Sequence, residues 1–450
     1  MSWVILEVPN LSRPKPKAAV QVLGCKVNQT EAEAIADLFR DRGYEIVDFS
    51  SKADVYIIHT CTVTRESDRK SRQIIRRAVK RNPEAIVAVT GCYAQTSSNE
   101  IAKMKGVDLI IGTSQRNQIV ELVEEVRDTG ETNSVVEDIK KLTAFEEFPL
   151  SKSSGRTRAF LKVQEGCRQF CTYCIIPYAR GPVRSRPLEK AKERAEKLIS
   201  MGYKEIVLTG IRLGAYGVDL KPPSSLAELV GELSRLDGLL RLRISSIDPN
   251  DFSKELVDAL AGEEIVCPHY HISLQSGDNS ILRKMGRRYT SEEYLELVSR
   301  IRSLRPESSF TTDVMVGFPG EKEIHFHNTK NFLNTVGFMD LHVFKYSPRA
   351  GTPAADYPEQ IPGDIKKSRS KILRRLSKDL YNEFASCFLN ETMEVLAEQR
   401  KNGLWEGHTP NYIKVKFPSH KANLQGETVP IRLMEMGDKF VMGREKMTDS

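Results

Sequence analysis

The chain has 450 residues, of which 40% are hydrophobic and 28% are charged. A chain of this length folds as about two to four domains. Its composition is ordinary for globular proteins, which excludes a largely disordered chain and lets each domain bury a core without disulfide bonds. The net charge is +7, a modest basic excess that by itself identifies no partner.

The apolar runs of the chain are the length of strands. The longest, such as residues 55–58 and 85–89, are far shorter than the roughly 20 residues that cross a bilayer. Residues 1–17 contain a short apolar patch interrupted by Glu7, and they lack a basic leading region and a small-residue cleavage site. We therefore predict a cytoplasmic protein with no membrane segment.

Two segments concentrate the positive charge. Residues 69–81 and residues 366–378 each contain seven Lys or Arg and no acidic residue. Such runs are typical electrostatic footprints for a phosphate backbone. The alternative is that each run is the solvated face of a helix.

Short β-branched runs alternate with helix-length amphipathic segments in residues 17–128, which predicts a parallel sheet covered by helices. The predicted strands are residues 19–23, 55–59, 85–89 and 107–111. Cys25, Cys61 and Cys92 each follow shortly after one of the first three strands. Since open α/β sheets place their sites at the carboxyl edge, we expect these thiols to meet. The alternative is that they are small buried hydrophobes.

The middle of the chain predicts an open barrel. Residues 129–157 have little periodicity and read as a linker or crossing segment. Six strand and helix repeats follow in residues 158–381, with predicted strands at 160–164, 205–208, 241–245, 270–274, 310–316 and 341–346. Six such units are too few for a complete barrel, and the working residues are expected at the carboxyl ends of the strands.

Three cysteines follow the first of these strands with the spacing C-x3-C-x2-C. They are Cys167, Cys171 and Cys174. Zinc sites use four ligands, and no second cysteine pair lies near enough to complete one. Three cysteines on a four-iron cluster leave one iron free, and this spacing is typical of radical S-adenosylmethionine (SAM) enzymes. The remaining Cys267 and Cys387 are predicted to pack in the core.

The C-terminal part changes to short alternating strands. After a basic helix near residues 366–381, we predict strands at 392–399, 413–417, 428–433 and 440–444. About 60 residues of this kind predict a small β-barrel. On a basic stem, such a barrel is a candidate RNA-binding module.

The segments around the cysteines resemble those of a known family. They read LGCKVNQTE from Leu23, TCTVT from Thr60, KSRQ from Lys70, GCYAQ from Gly91 and CTYCIIPYARG from Cys171. The chain resembles the radical methylthiotransferases over residues 17–447. The resemblance implies an α/β fold with an N-terminal parallel α/β methylthiotransferase domain at 17–128, a linker at 129–157, a central partial (β/α)6 radical SAM barrel at 158–381 and a C-terminal all-β TRAM barrel at 382–447.

The resemblance also implies the site residues. The first three cysteines would bind an auxiliary [4Fe-4S] cluster and the second three a radical [4Fe-4S] cluster. Four residues would face SAM and the substrate: Tyr173, Gly210, Gln275 and Asp313. Each has a structural alternative, namely packing, a turn, or a local cap or ion pair. His59 and Arg168 depart from the usual family pattern, in which both are Asn.

The implied reaction is methylthiolation of N6-threonylcarbamoyladenosine at position 37 of tRNA. The implied partners are the anticodon stem-loop, a low-potential electron donor of the flavodoxin or ferredoxin type, and a sulfur donor of unspecified class. One alternative is the same chemistry on another substrate, either isopentenyladenosine or a ribosomal-protein aspartate. The family branch that acts on isopentenyladenosine usually has Gln-Met-Asn after its first cysteine, and the branch that acts on the ribosomal protein has Pro-Lys-Asn there. A second alternative is a noncatalytic iron-sulfur protein that binds RNA.

Overall fold

The first part of the chain builds a six-stranded sheet. The computed structural model describes residues 15–150 and 157–446. The strands are β1 (Lys17–Val22), β2 (Glu45–Ile46), β3 (Val55–Thr60), β4 (Ile86–Gly91), β5 (Leu109–Ile111) and β6 (Asn133–Val135). They pair in the order β2-β1-β3-β4-β5-β6, and every pair is parallel. The helices of this part are α1 (Lys26–Asp41), α2 (Arg65–Arg81), α3 (Cys92–Thr96), α4 (Ser98–Ala102) and α5 (Ile119–Thr129).

Strand β3 shows how the sheet is buried between helices. All six of its residues are buried. Val55 and Ile57 pack into the core on the side of α1 and α5, whereas Tyr56 and Ile58 pack on the side of α2 and α4. A parallel strand covered on both faces is apolar on both, so the predicted parallel α/β fold of this part is confirmed.

The central part forms an open barrel. Its strands are β7 (Arg158–Lys162), β8 (Gln164–Glu165), β9 (Arg184–Ser185), β10 (Glu205–Thr209), β11 (Arg241–Ile244), β12 (His269–His271), β13 (Ser309–Val316) and β14 (Asp340–Lys345). The parallel sheets β7-β10-β11 and β12-β13-β14 are joined by the bridges Leu242–Val266 and Ile247–Ile272. Six parallel strands therefore curve around one axis, as predicted.

Helices cover the outside of this barrel. They are α7 (Leu188–Ser200), α8 (Leu226–Ser234), α9 (Lys254–Gly262), α10 (Asn279–Lys284), α11 (Ser291–Leu304), α12 (Glu323–Val336) and α13 (Gly363–Ser386). The short helix α6 (Ile176–Arg180) instead packs against α3. Among the described helices, none combines the length and the apolar character that crossing a membrane requires.

The inner face of the barrel is polar. Ile206 of β10 and Leu242 of β11 point outward into the core shared with the helices. Because side chains alternate along a strand, their neighbours point into the barrel interior, which we call the lumen. A complete (β/α)8 barrel fills this space with branched apolar side chains. Here charged and aromatic groups face it instead: Arg158, Glu205, Arg243, His269 and His342.

The C-terminal part is a closed barrel. Its strands are β15 (Thr392–Lys401), β16 (Leu404–His408), β17 (Lys414–Phe417), β18 (Thr428–Met436) and β19 (Val441–Glu445), in the order β15-β16-β17-β19-β18. It covers the lumen at the amino ends of the strands, where the ring of Tyr412 stacks between those of His269 and His408 at centroid distances of 4.4 and 4.6 Å. The predicted small all-β barrel is confirmed.

The structure differs from the predictions in its short elements. The sequence patterns do not predict β2, β6, β9 or β16, and β6 lies inside the segment predicted as a linker. The basic run 69–81 lies mostly on the exposed side of α2, and the run 366–378 lies mostly on the exposed side of α13. The division of the chain into domains stays a prediction, and residues 1–14, 151–156 and 447–450 lie outside the described residues.

The two remaining cysteines have different surroundings. Cys267 is buried, as predicted. Cys387 is exposed, so its predicted core packing is wrong. It caps the C-terminus of α13, where the chain turns toward β15 at the surface.

A buried ion pair fixes α2 to the loop after β14. The Nη2 of Arg349 donates to the hydroxyl of Thr62 at 2.6 Å, and its Nη1 donates to Asp68. We expect Asp68→Ala to lower the free energy of unfolding by about 3 kcal/mol, because Arg349 then stays buried without a carboxylate. Urea denaturation of the full-length chain measures this change. In the control Glu66→Ala, only an exposed pair with Arg69 is lost, and little change is expected; an equal loss in both variants would contradict the prediction.

Candidate active site with two cysteine trios

Three cysteines stand at the carboxyl ends of adjacent strands of the parallel sheet. Cys25 is the N-cap residue of α1 after β1, Cys61 directly follows β3, and Cys92 is the first residue of α3 after β4. The thiol of Cys92 interacts electrostatically with both other thiols. The structure therefore brings together the set that the sequence predicts, which we call the auxiliary trio.

Two glycines allow close packing beside the auxiliary trio. Gly24 has a φ of +114°, and a Cβ added to it would lie 3.0 Å from the Cβ of Cys61. Gly91 has a φ of +95°, and its added Cβ would lie 2.6 Å from the carbonyl oxygen of Thr60. Any other residue would strain the backbone and clash with these atoms. The glycines thus let the loops that bear Cys25 and Cys92 approach the end of β3 closely.

The second set of cysteines lies in the loop between β8 and α6. The backbone N–H of Thr172 in this loop donates to the carbonyl of Met285 at 2.9 Å, which fixes the loop to the end of α10. The thiol of Cys174 interacts electrostatically with those of Cys171 and Cys167. We call these three residues the radical trio.

The spread and chemistry of the thiols fit four-iron clusters. Among the described residues, only one group of three ligating side chains has its ligand atoms within 4.8 Å of one another, and it contains no cysteine. Each trio is therefore spread more widely than the ligands of a single ion such as zinc. Three thiolates on a four-iron cluster leave one iron open, and both trios match this number.

The thiols need a metal to ionise. Burial raises the pKa of the Cys92 thiol to about 11 and that of Cys174 to about 12. Burial also raises the pKa of Cys61 and of Cys167. At neutral pH these groups are thiols, and metal binding releases their protons.

A buried carboxylate joins the two trios. Glu31 of α1 is 1% exposed. It accepts hydrogen bonds from Arg116 Nη1 at 2.6 Å, from Lys162 Nζ at 2.6 Å and from Arg180 Nη1 at 2.8 Å. Lys162 ends β7, and Arg180 ends α6 after the radical trio. These four residues and Glu165, which accepts from Lys162 and Arg180, are the buried charge cluster.

Arg180 also contacts the auxiliary trio directly. Its Nε donates to the Sγ of Cys92 at 3.1 Å. Burial alone would raise the pKa of Glu31, but Arg116 and the other cations outweigh burial and hold this pKa well below its ordinary value. Glu31 therefore stays ionised and holds the guanidinium of Arg180 against the sulfur.

The sequence reasoning missed this cluster. Glu31 and Arg180 stand inside the quoted segments LGCKVNQTE and CTYCIIPYARG, but nothing in these segments shows that the two residues pair. His59, a departure from the family pattern, is buried with its Nε2 3.1 Å from Glu31 Oε2, so it also contacts the cluster. Arg168, the other departure, is exposed.

A cavity of about 170 Å³ lies between the two cysteine-bearing loops. Three of the four predicted cofactor-binding residues line it: Tyr173, Gln275 and Asp313. Cys174 contributes from the radical trio, and Val63 contributes from the loop after Cys61. Gly210 lies apart from this cavity, where an added Cβ would meet Gln164 Oε1 at 2.9 Å. The roles of these four residues in binding a cofactor stay predictions.

Two histidines flank the carboxylate of Asp313. Its Oδ1 lies 3.4 Å from His271 Nε2 and 3.4 Å from His342 Nδ1. Burial would raise the pKa of Asp313, but hydrogen bonds from both histidines outweigh burial and hold it below its ordinary range. The same contact raises the pKa of His342. The barrel thus presents an ionised carboxylate to the cavity.

Comparisons with known proteins place the chain in a family. The family model described as Uncharacterized protein family UPF0004 matches residues 17–112, and that of the Radical SAM superfamily matches residues 161–333. A Bacillus subtilis (strain 168) protein named Threonylcarbamoyladenosine tRNA methylthiotransferase MtaB is 42% identical over 432 residues, which cover 95% of each chain. The chain belongs to the radical methylthiotransferase family. An Aquifex aeolicus (strain VF5) protein of the same name is also 42% identical to this methylthiotransferase, over 90% of this chain and 97% of the relative.

Relatives named for a different substrate are also similar to this methylthiotransferase. A Pelotomaculum thermopropionicum protein named tRNA-2-methylthio-N(6)-dimethylallyladenosine synthase is 35% identical over 92% of this chain and 94% of the relative. Among solved structures, the radical SAM methyltransferase TsrM from Kitasatospora setae, with cobalamin and a [4Fe-4S] cluster bound, matches with a TM-score of 0.56 and 16% identity over 76% of this chain and 77% of that chain. At this identity the match shows the fold alone.

If each cysteine trio binds one cluster, each trio should account for half of the bound iron. After anaerobic reconstitution, we expect the triple variants Cys25→Ala/Cys61→Ala/Cys92→Ala and Cys167→Ala/Cys171→Ala/Cys174→Ala each to retain about half of the wild-type iron and sulfide, because each trio fits one four-iron cluster. Chemical iron and sulfide analysis measures this. Cys387→Ala is the control and should retain all the iron. A triple variant with the full iron content would show that its trio binds no cluster.

Proposed function

We propose that this methylthiotransferase converts N6-threonylcarbamoyladenosine at position 37 of tRNA to its 2-methylthio derivative. The observation that carries the proposal is the cavity between the two cysteine-bearing loops, because a base bound there would lie within reach of both trios. The choice of base is supported by the names of the relatives, which are 35 to 42% identical where the name gives threonylcarbamoyladenosine and 33 to 35% identical where it gives dimethylallyladenosine.

The reaction replaces the hydrogen on C2 of the adenine by a methylthio group. That C–H bond is unactivated, so ordinary acid and base groups do not open it at neutral pH. When bound, two four-iron clusters and SAM supply the one-electron and sulfur chemistry that such a bond requires. In this proposal the residues of the chain hold the reactants and exclude water.

The cavity wall suits an aromatic base and an adenosyl group. The ring of Tyr173 packs edge-on against Phe318 at a centroid distance of 6.4 Å, which fixes its orientation. Gln275 and Asp313 add polar groups at the barrel strand ends. Gln275 has a φ of +68°, and its backbone N–H donates to the carbonyl of Asp313 at 2.8 Å. We infer that these polar groups orient the bound cofactor and that Tyr173 packs against it.

Basic groups from two helices meet at the mouth of the cavity. Lys345 lines the cavity, and Lys366 of α13 interacts electrostatically with both Lys345 and Arg65 of α2. The N-terminal ends of α2 and α13, the two helices that bear the basic runs, therefore approach the same opening. Such a surface suits the phosphate backbone of an anticodon stem-loop, with the small C-terminal barrel as a further contact. We also propose cytoplasmic action with a flavodoxin- or ferredoxin-type reductant.

Nucleoside analysis of tRNA tests this function. In cells that lack the gene, we expect the 2-methylthio derivative of N6-threonylcarbamoyladenosine to disappear and its precursor to accumulate, as measured by mass spectrometry of digested tRNA. A plasmid with the wild-type gene or with Cys387→Ala should restore the derivative, whereas Cys174→Ala should not. Loss of the methylthio-isopentenyl nucleoside instead would contradict the proposed substrate.

A further inference from the structure

The side chain of Lys26 extends from the auxiliary trio into the lumen. It is the first residue of α1 and directly follows Cys25. Its ammonium interacts electrostatically with Arg158, Arg243 and Tyr412, which lie toward the closed end of the barrel, so the side chain extends inward. Lys26 is nevertheless solvent-exposed. An external group can therefore reach its ammonium.

The carboxylates that face the lumen near Lys26 are already paired with other side chains. Glu205 binds Arg243 at 2.8 Å and lies 3.7 Å from Arg158 and from Arg241. Glu398 accepts hydrogen bonds from Arg158 and from His408. The carboxylates near Lys26 are thus already bound to other cations.

Three arginines near Lys26 share one carboxylate. Arg158, Arg241 and Arg243 all lie within 3.7 Å of Glu205. The Nη2 of Arg243 is buried and has no hydrogen-bond partner in the part of the chain that the structure describes. His342, whose side chain is 54% exposed, interacts electrostatically with Lys26 and opens onto the same space. An open lumen with an unsatisfied guanidinium N–H is suited to an anionic group.

The ammonium of Lys26 makes no hydrogen bond or ion pair among the described residues. It interacts electrostatically with Glu205, but this carboxylate already binds Arg243. Other cations near the trios are bound by carboxylates: Lys162 by Glu31, Arg212 by Asp251, and Arg287 by Asp248. Because Lys26 is exposed and the carboxylate near it is already bound, its ammonium can bind an anionic ligand next to the auxiliary trio.

The proposed substrate carries an anion at the matching position. The threonylcarbamoyl arm is attached to N6 and ends in a carboxylate a few bonds away. On the adenine ring, C2 and C6 flank N1, so an adenine with its C2 at the auxiliary trio places this arm beside the same trio. The isopentenyl arm of the alternative substrate has no charge.

We propose that Lys26, with Arg158 and Arg243 nearby, binds the carboxylate of the threonylcarbamoyl arm and so selects this substrate. The inference rests on the proposed function, since it concerns the same base. Lys345 is the rival cation, because it also lines the cavity. Lys345 lies at the mouth with Lys366 and Arg65, however, where a backbone phosphate would meet it before a base enters.

The test compares a charged arm with a neutral one. Anticodon stem-loop RNA is prepared with N6-threonylcarbamoyladenosine and with its threonyl methyl ester, and kcat/KM is measured for both with the reconstituted full-length enzyme. We expect the wild type to prefer the carboxylate by about 10- to 100-fold, as is usual for a hydrogen bond to a charged group. Lys26→Met should abolish the preference by losing activity on the carboxylate alone. Lys26→Arg should keep most of the preference.

The controls separate charge recognition from damage to the clusters. Iron content and visible absorption of each variant are measured first, because Lys26 adjoins Cys25. The ratio of kcat/KM for the two RNAs, measured on one variant, does not depend on the fraction of enzyme that holds its clusters. Lys190→Met, on the exposed side of α7, should behave as the wild type.

Three outcomes overturn the inference while the proposed function stands. In the first, the wild type modifies both RNAs equally. In the second, Lys26→Met keeps the preference for the carboxylate. In the third, Lys345→Met abolishes this preference although Lys26→Met keeps it. If the wild type modifies neither RNA but modifies isopentenyladenosine, the proposed function itself fails.

Discussion

The buried carboxylate of Glu31 is the interaction on which the rest of the site depends. It comes from the N-terminal sheet and is bound by Lys162 and Arg180, which belong to the barrel. Glu31 stands six residues after Cys25, and Arg180 stands six residues after Cys174. A shift of one part against the other would leave buried charges without partners, at a cost of about 3–5 kcal/mol for each broken pair. The two trios therefore have one favoured spacing.

This constraint explains how an open barrel can host reactive chemistry. The cavity is bounded on one side by the radical trio loop and on the other by the loop after Cys61, so its shape depends on both parts of the chain. Because the charge cluster fixes these parts, the cavity is formed before a ligand enters. Preorganised sites of this kind position reactants without a further ordering cost. The polar lumen behind the cavity then provides room for the arm of the base.

The sequence predicts the regular parts of the molecule because they follow from local patterns. All six barrel strands and the strands that precede the auxiliary trio appear near the predicted positions. The sheet strand β3 is a continuous apolar run, and barrel strands such as β11 alternate apolar and polar residues, so both patterns are visible in the sequence. The short strands β2, β6, β9 and β16 escape prediction because two to five residues carry too little periodicity. Cysteine spacing reveals the radical trio, whereas the meeting of Cys25, Cys61 and Cys92 follows only from strand order.

The charge pairings are the part that sequence patterns do not contain. Glu31 and Arg180 are 149 residues apart, and a single sequence gives no sign that they are partners. The same holds for Lys26. Its ammonium makes no hydrogen bond or ion pair among the described residues, and this is a property of the folded lumen. Cys387 illustrates the opposite error, in which a plausible local role is assigned to a residue that the fold places at the surface.

The central claim is that the buried charge cluster sets the distance between the two clusters of iron. Dipolar electron paramagnetic resonance on the reduced, fully loaded enzyme measures this distance and its spread. We expect a single narrow distribution in the wild type and in the control Glu125→Gln, whose side chain is exposed on α5, and a broadened or shifted distribution in Glu31→Gln. An unchanged distribution in Glu31→Gln, with both clusters present, would contradict this account.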